Sequence, residues 1–371
     1  MWRRSILLLG PKSIRIAQRN AQKINPGLFL RFASSLGAER VENFPEEPPK
    51  TLRLWSDSGG DDTISTPFDD LGAWHDAEAK SFLHNVSIDS VGFNSLQGKK
   101  FVNEDRFKLL ELDPDFYYFA VFDGHGGVSS AEFAHDKLHE IVRRMHRDGE
   151  NDLEKILVQA FEECDTELKR HLEYLVSEKG EDLSELSSGT TATVVLLRDG
   201  TDLAIASTGD SRAVLCRNGE TSCITRDHHP SLEEEQQRIL SCNGRIESTS
   251  SDLLRVNGRL AMTRSLGDFD LKPYGVIATP DTKLLKVDHN ADAFIVLITD
   301  GISDVISSYE LGFLVRMCTD PEQAAHSLTC CAMQYGSDDN VTAVVVPLRA
   351  WRKYCGHRHI QNNNVMRVNC I

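Results

Sequence analysis

At four places in this chain an apolar, strand-forming run meets a carboxylate at one end. Phe119-Ala120-Val121-Phe122 runs into Asp123-Gly124-His125-Gly126-Gly127, and Ile295-Val296-Leu297-Ile298-Thr299 runs into Asp300-Gly301. Ala204-Ile205-Ala206-Ser207 leads through Thr208 and Gly209 to Asp210, and Asp338-Asp339-Asn340 directly precedes Val341–Val346. A fold that buries these runs must also deliver the acids at strand ends, where a rigid element fixes their position. Glu104-Asp105, after a further apolar segment, joins the set. Gathered at one end of a fold, such carboxylates repel one another, and divalent cations remove that penalty. Oxygen ligands without cysteine favour Mg²⁺ or Mn²⁺ over zinc. Glycine after Asp123 lets the backbone come close, so its carbonyl can also face a cation or a cation's water.

The runs themselves predict strands at Phe116–Phe122, Thr191–Leu197, Leu203–Ser207, Ala213–Cys216, Phe294–Thr299 and Val341–Val346. Asp199-Gly200 and Asn218-Gly219 carry the chemistry of hairpin turns. Ala134, Leu138, Ile141, Val142 and Met145 fall on one helical stripe, and Leu153, Ile156, Leu157, Ala160, Phe161, Cys164, Leu168 and Leu172 on a longer one. Ser307 with Glu310 forms a capping box, and Asp320-Pro321 places a cap and an N1 proline before a last helix. Strand-rich blocks interleaved with helix pairs give an α+β core dominated by strands, not alternating βαβ units.

Charge divides the chain. Residues 1–38 hold Arg3, Arg4, Lys12, Arg15, Arg19, Lys23 and Arg31 with no acid, so the remainder carries 34 basic against 56 acidic residues, a net −22. The basic, acid-free start reads as a mitochondrial presequence over 1–32 that directs the chain to the matrix, with cleavage near Phe32 or Ala33. Residues 33–85 read as a flexible acidic linker with a short ordered patch around Phe68, Leu71 and Trp74. Residues 86–348 read as one catalytic domain, and 349–371 as a polar tail. So acidic a core repels a nucleic-acid backbone, and no run is long and apolar enough to span a bilayer. Nine scattered cysteines without a Cys-x-x-Cys pair suit a reducing compartment and lack the spacing of a zinc site.

Seven motifs occur in one order: Asn103-Glu104-Asp105, Phe122-Asp123-Gly124-His125-Gly126-Gly127, Ser188-Gly189-Thr190-Thr191-Ala192, Gly209-Asp210-Ser211-Arg212, Thr263-Arg264-Ser265-Leu266-Gly267-Asp268, Thr299-Asp300-Gly301 and Asp339-Asn340. Together they resemble the metal-dependent serine/threonine protein phosphatases of type 2C, the PPM family. The resemblance covers about Val86 to Val346. It implies a central β-sandwich of two antiparallel sheets flanked by pairs of antiparallel helices. It also implies two Mn²⁺ or Mg²⁺ ions per subunit and a weaker third. Asp123 would bridge the two cations with help from the Gly124 carbonyl, and Asp300 and Asp339 would complete the second site. Glu104 and Asp105 would hold cation-bound waters, with Asp210 and Asp304 at the third position.

The activity implied is hydrolysis of phosphoserine and phosphothreonine in proteins by a metal-bridging hydroxide. His125 would protonate the departing oxygen. Where the family commonly carries an arginine that grips the phosphate, four residues before Glu104, this chain has Lys100, which supplies charge without a bidentate fork. Arg264 would orient the loop beside the cleft or serve as a structural salt bridge. Asp227–Gly258 matches a variable flap, in which His228-His229-Pro230 reads as a loop entering a helix. Val256–Ser265, Thr342–Pro347 and the presequence look like the mitochondrial matrix branch, which acts on the E1α subunit of the branched-chain 2-oxoacid dehydrogenase complex. A sister enzyme with other targets and a catalytically silent phosphatase-like scaffold are the competing readings.

Overall fold

The strand runs are apolar throughout because both faces of each central strand are covered. The computed structural model describes residues 86–248 and 253–356, within which two five-stranded antiparallel sheets stack face to face. One has the order β1 (Gly92–Leu96), β15 (Val341–Pro347), β14 (Asp292–Ile298), β8 (Arg212–Arg217) and β9 (Glu220–Cys223). The other runs β13 (Asp281–Lys286), β7 (Asp202–Thr208), β6 (Ala192–Arg198), β3 (Phe116–Phe122) and β2 (Arg106–Asp113). Alternation along each strand sorts side chains into three cores. Phe119, Val121 and Val195 meet Ile295, Leu297, Val344 and Val346 between the sheets. Tyr118, Ala120 and Phe122 point the other way, against α1 (Ser129–Arg147) and α2 (Leu153–Tyr174). Val296, Ile298 and Val345 pack under α5 (Ser308–Met317) and α6 (Pro321–Gln334). The result is the α+β sandwich, helices on both outer faces, that the motifs implied.

Local chemistry sets the connections. Asp199 and Gly200 have φ of 53° and 64°, and Asn218 and Gly219 of 54° and 76°, as hairpin turns matched to strand twist require. The Ser307–Glu310 capping box is formed, and the Asp320 carboxylate accepts the Gln323 N–H ahead of Pro321. Within the two five-stranded sheets, the strands without a clear sequence signal, β1, β2, β9 and β13, are the four edges, where half-exposed positions blur the alternation.

Ordered structure continues past residue 348. α7 (Trp351–Tyr354) docks on β14, with the buried Trp351 indole edge-on to Phe294 at 5.8 Å between ring centroids. Among the described residues seven cysteines are free thiols and Cys330 is disulfide-bonded, unlike the wholly unpaired set expected. The presequence, the linker with its patch around Phe68, Leu71 and Trp74, and the chain beyond residue 356 lie outside the described residues.

Topology explains how the acids meet. β3 and β7 both pair antiparallel with β6, so they run parallel and finish at one end of their sheet. β14 ends where β15 and β8 begin, with Ile298 opposite Ala343 and Arg212. The short β7–β8 connection carrying Asp210 crosses from one sheet to the other at that same end.

Candidate active site

A three-stranded miniature sheet closes this end of the sandwich. β5 (Gly189–Thr190) lies between β4 (Gly124–His125) and β12 (Leu266–Gly267), so that three motifs distant in sequence share one ladder. The ladder sets His125 against Asp268, with Nε2 at 2.9 and 3.1 Å from the two carboxylate oxygens. Asp268 is 2% exposed and also accepts the Ser265 hydroxyl at 2.5 Å. Only glycine fits between them: a Cβ on Gly189 would stand 2.2 Å from Asp268 Oδ2 and 2.4 Å from His125 Nε2. Burial works to lower the His125 pKa, but the Asp268 carboxylate outweighs it and leaves the imidazole above its ordinary value. Asp268 belongs to a motif singled out in the sequence, yet nothing local marks it as a partner of a histidine 143 residues away.

Beside this pair stand the strand-end acids. Asp105 is 3% exposed, and its Oδ2 accepts hydroxyl hydrogen bonds from Thr299 at 2.9 Å and Thr342 at 2.6 Å. The Asp300 N–H points to Asp123 Oδ2 at 3.4 Å, and the Asp123 N–H donates to Thr191 Oγ1 at 3.0 Å. Burial pushes Asp105 and Asp210 up to about 7 and Asp300 up to about 6, with neighbouring acids adding to the rise in each. Asp123 lies well above the usual carboxylate range through burial, then through Asp300, Asp105 and Asp210. Asp304 is raised by burial as well.

The group fits hard cations in its donors and its deficit of positive charge. Asp105 Oδ1 and Asp210 Oδ1 are buried acceptors without a hydrogen-bond partner among the described residues, an arrangement costly unless something positive or hydrogen-bonding fills it. Among the described residues, no three His, Cys, Asp or Glu side chains converge closely enough to hold an ion by themselves. Mg²⁺ ordinarily keeps several waters and takes only one or two carboxylates directly, so a spread set of acids with a backbone carbonyl suits it better than a closed cage.

The other expected residues fall into two groups. Glu104 Oε1 accepts the Gly127 N–H at 2.8 Å and its own N–H donates to Asn340 Oδ1 at 2.9 Å, which ties the β2 entrance to the segment carrying Asp339. The Lys100 ammonium lies 2.8 Å from Asp339 Oδ1; burial disfavours its charge, but Asp339, Asp300 and Asp123 hold its pKa above the ordinary value. Arg264 is turned elsewhere. Its guanidinium binds Glu235 at 2.7 Å and Asp281 at 2.8 Å, linking α3 (Glu233–Ser241), which precedes the flap hairpin of β10 (Ile246–Ser248) and β11 (Leu254–Val256), to β13. His228 is fully buried, with Nδ1 accepting the Gly209 N–H, and His229 lies at the loop entering α3.

A sequence profile of the family described as Protein phosphatase 2C matches residues 89–341. The chain is 48% identical over 272 residues to "Protein phosphatase 1K, mitochondrial" of Xenopus laevis, covering 73% of this chain and 71% of that protein. It is 34% identical over 281 residues to "Protein phosphatase 1L" of Bos taurus, covering 72% and 73%. Among solved structures, a C. elegans sex determining protein matches with a TM-score of 0.64 at 29% identity, covering 72% of this chain and 67% of that one. The serine-threonine phosphatase 2C of Toxoplasma gondii, at 22% identity and a TM-score of 0.62, covers 70% and 94% and shares the fold.

Proposed function

Because the chain belongs to the protein phosphatase 2C family and is a protein serine/threonine phosphatase, we propose that it dephosphorylates mitochondrial matrix proteins at the strand-end acids. The carrying observation is the cluster of buried Asp105 with half-buried Asp123, Asp210 and Asp300, two of whose oxygens have no hydrogen-bond partner among the described residues. In this reading Asp123, the Gly124 carbonyl, Asp300 and Asp339 would hold two cations, Glu104 and Asp105 would hold their waters, and Asp210 with Asp304 would support a third. Bound there, Mg²⁺ or Mn²⁺ would acidify water for attack on phosphorus and offset charge on the phosphoryl oxygens.

The remaining chemistry belongs to side chains. Asp268 occupies His125 Nε2 and favours the imidazolium, so Nδ1–H is the proton offered to the departing serine or threonine oxygen. Lys100 has three donors, one of them directed at Asp339, and the others serve a phosphoryl oxygen. Arg264 braces the flap through Glu235 and Asp281 and acts by positioning.

The mitochondrial assignment is supported by the name of the Xenopus relative and by the basic start of the chain. The E1α subunit of the branched-chain 2-oxoacid dehydrogenase complex is the proposed substrate, on the resemblance of Val256–Ser265 and Thr342–Pro347 to the matrix branch. One observation favours the silent scaffold instead: Lys100 already neutralises part of Asp339. Phosphate release from a phosphoserine peptide by the full chain, with Mn²⁺, Mg²⁺ or EDTA and beside Asp300→Ala, separates the two. Turnover that EDTA and the substitution both abolish is expected. A folded, Mn²⁺-binding protein without turnover would establish the scaffold.

A further inference from the structure

The loop from Gln97 to Val102, which leads from β1 toward the acids, shows its most apolar side chains to solvent. Phe101 is 101% exposed and Val102 52%. A lone exposed aromatic residue on a mobile loop needs no explanation. This loop, however, is held at every turn. Gln97 Nε2 donates to the carbonyls of Lys100 at 2.7 Å and Phe101 at 2.9 Å, and Asn340 Nδ2 donates to those of Gln97 at 2.6 Å and Val102 at 3.1 Å. Gly98, at φ 64°, lies so close to Asp339 that a Cβ would come 2.0 Å from its carbonyl oxygen. Lys99 with Asp338, at 2.5 Å, and Lys100 with Asp339, at 2.8 Å, complete the fastening. The backbone that displays Phe101 is therefore anchored to the segment that carries an acid of the active site.

We propose that Phe101 and Val102 form a rigid apolar lip that receives an apolar side chain of the substrate protein beside the phosphorylated serine or threonine. The proposal rests on the phosphatase reading above and adds substrate preference to it. Two features of the site select this occupant. The first is continuity: a phosphate held beside Lys100 and Asp339 places the flanking residues, spaced about 3.3–3.6 Å apart along an extended chain, next to Phe101. The second is charge, because residues 39–371 carry a net −22 and repel acidic flanks, while the two nearby lysines are already paired with Asp338 and Asp339. A pre-ordered lip loses little conformational freedom when an apolar group covers it, so the gain appears as affinity.

The test compares two phosphoserine peptides of equal length and charge, with leucine or glycine on both sides of the phosphoserine, alongside nitrophenyl phosphate. The full chain is used with Mn²⁺, as wild type and as Phe101→Ala, with folding checked by circular dichroism. The wild type should show a KM about tenfold lower for the leucine peptide, as burial of one large apolar side chain allows. Phe101→Ala should erase that preference and leave kcat and nitrophenyl phosphate turnover unchanged. Equal KM values for the two peptides, or an unaltered preference in Phe101→Ala, overturn the lip while nitrophenyl phosphate turnover keeps the phosphatase reading. Should no substrate turn over, fluorescence anisotropy of the labelled peptides decides the lip by itself: a leucine preference in Kd lost in Phe101→Ala sustains it, and equal Kd values reject it.

Discussion

Asp268 holds the His125 Nε2 and the Ser265 hydroxyl, and asparagine in its place keeps the shape and an acceptor oxygen while removing the charge. In Asp268→Asn the lowering effect of burial on the imidazole is no longer outweighed, and the His125 pKa falls. The imidazolium is the form that donates, so the alkaline limb of the kcat profile should move to lower pH. At pH 7.5 kcat should drop about tenfold, less than the roughly hundredfold or more lost when a general acid is removed outright, with KM nearly unchanged. An unmoved pH profile would dismiss Asp268 as a positioning residue. At this scale the sequence exposed the acids, because Asp-Gly and Asp-Asn beside apolar runs are local patterns. It hid the pairings. The Thr299 and Thr342 hydroxyls that hold Asp105 are 194 and 237 residues from it, and the turn of Arg264 toward Glu235 depends on where α3 packs.

Among elements, the miniature sheet carries the most consequence for its size. The atoms that a Gly189→Ala methyl would meet first are side-chain ends, Asp268 Oδ2 and His125 Nε2, which can swing away without breaking the sandwich. Gly189→Ala should therefore keep a native circular dichroism spectrum and lose on the order of a hundredfold in kcat, the lower end of what a general acid supplies. A folded variant with full activity would show that the His125–Asp268 contact does not matter. At the far end of the sandwich, Trp351→Ala removes a buried indole from Phe294 and should cost about 3 kcal/mol in urea unfolding, without altering kcat of the folded fraction. Central strands and both long helices were legible because burial on both faces, or on one helical stripe, writes a strong pattern. Two-residue strands and α7 were not, since neither is long enough for periodicity to register.

The whole molecule places repelling carboxylates at one end of a stable sandwich, and its stability should record that. Ordinary aspartate titrates near 3.8, whereas Asp300 lies at about 6 and Asp105 and Asp210 at about 7 in the folded chain. Between those values the folded protein binds more protons than the unfolded one, so the free energy of unfolding falls as pH rises from about 4 to about 7. In EDTA the protein should thus be less stable at pH 7.5 than at pH 5.5. Asp300→Asn should flatten part of that slope and stabilise the cation-free protein at pH 7.5 by on the order of 1–3 kcal/mol, about 1.4 kcal/mol per unit of raised pKa. Mn²⁺ or Mg²⁺ binds the ionised acids of the folded state, so either should raise the wild-type Tm at pH 7.5 in a concentration-dependent way. The same ions should do much less for Asp300→Asn. Thermal unfolding of both proteins at the two pH values, with EDTA and with increasing Mn²⁺, reads all of this together. A wild type as stable at pH 7.5 as at pH 5.5 in EDTA, and indifferent to Mn²⁺, would mean that the acids are already neutralised by the protein itself. Lys100 on Asp339 would then be the first place to look.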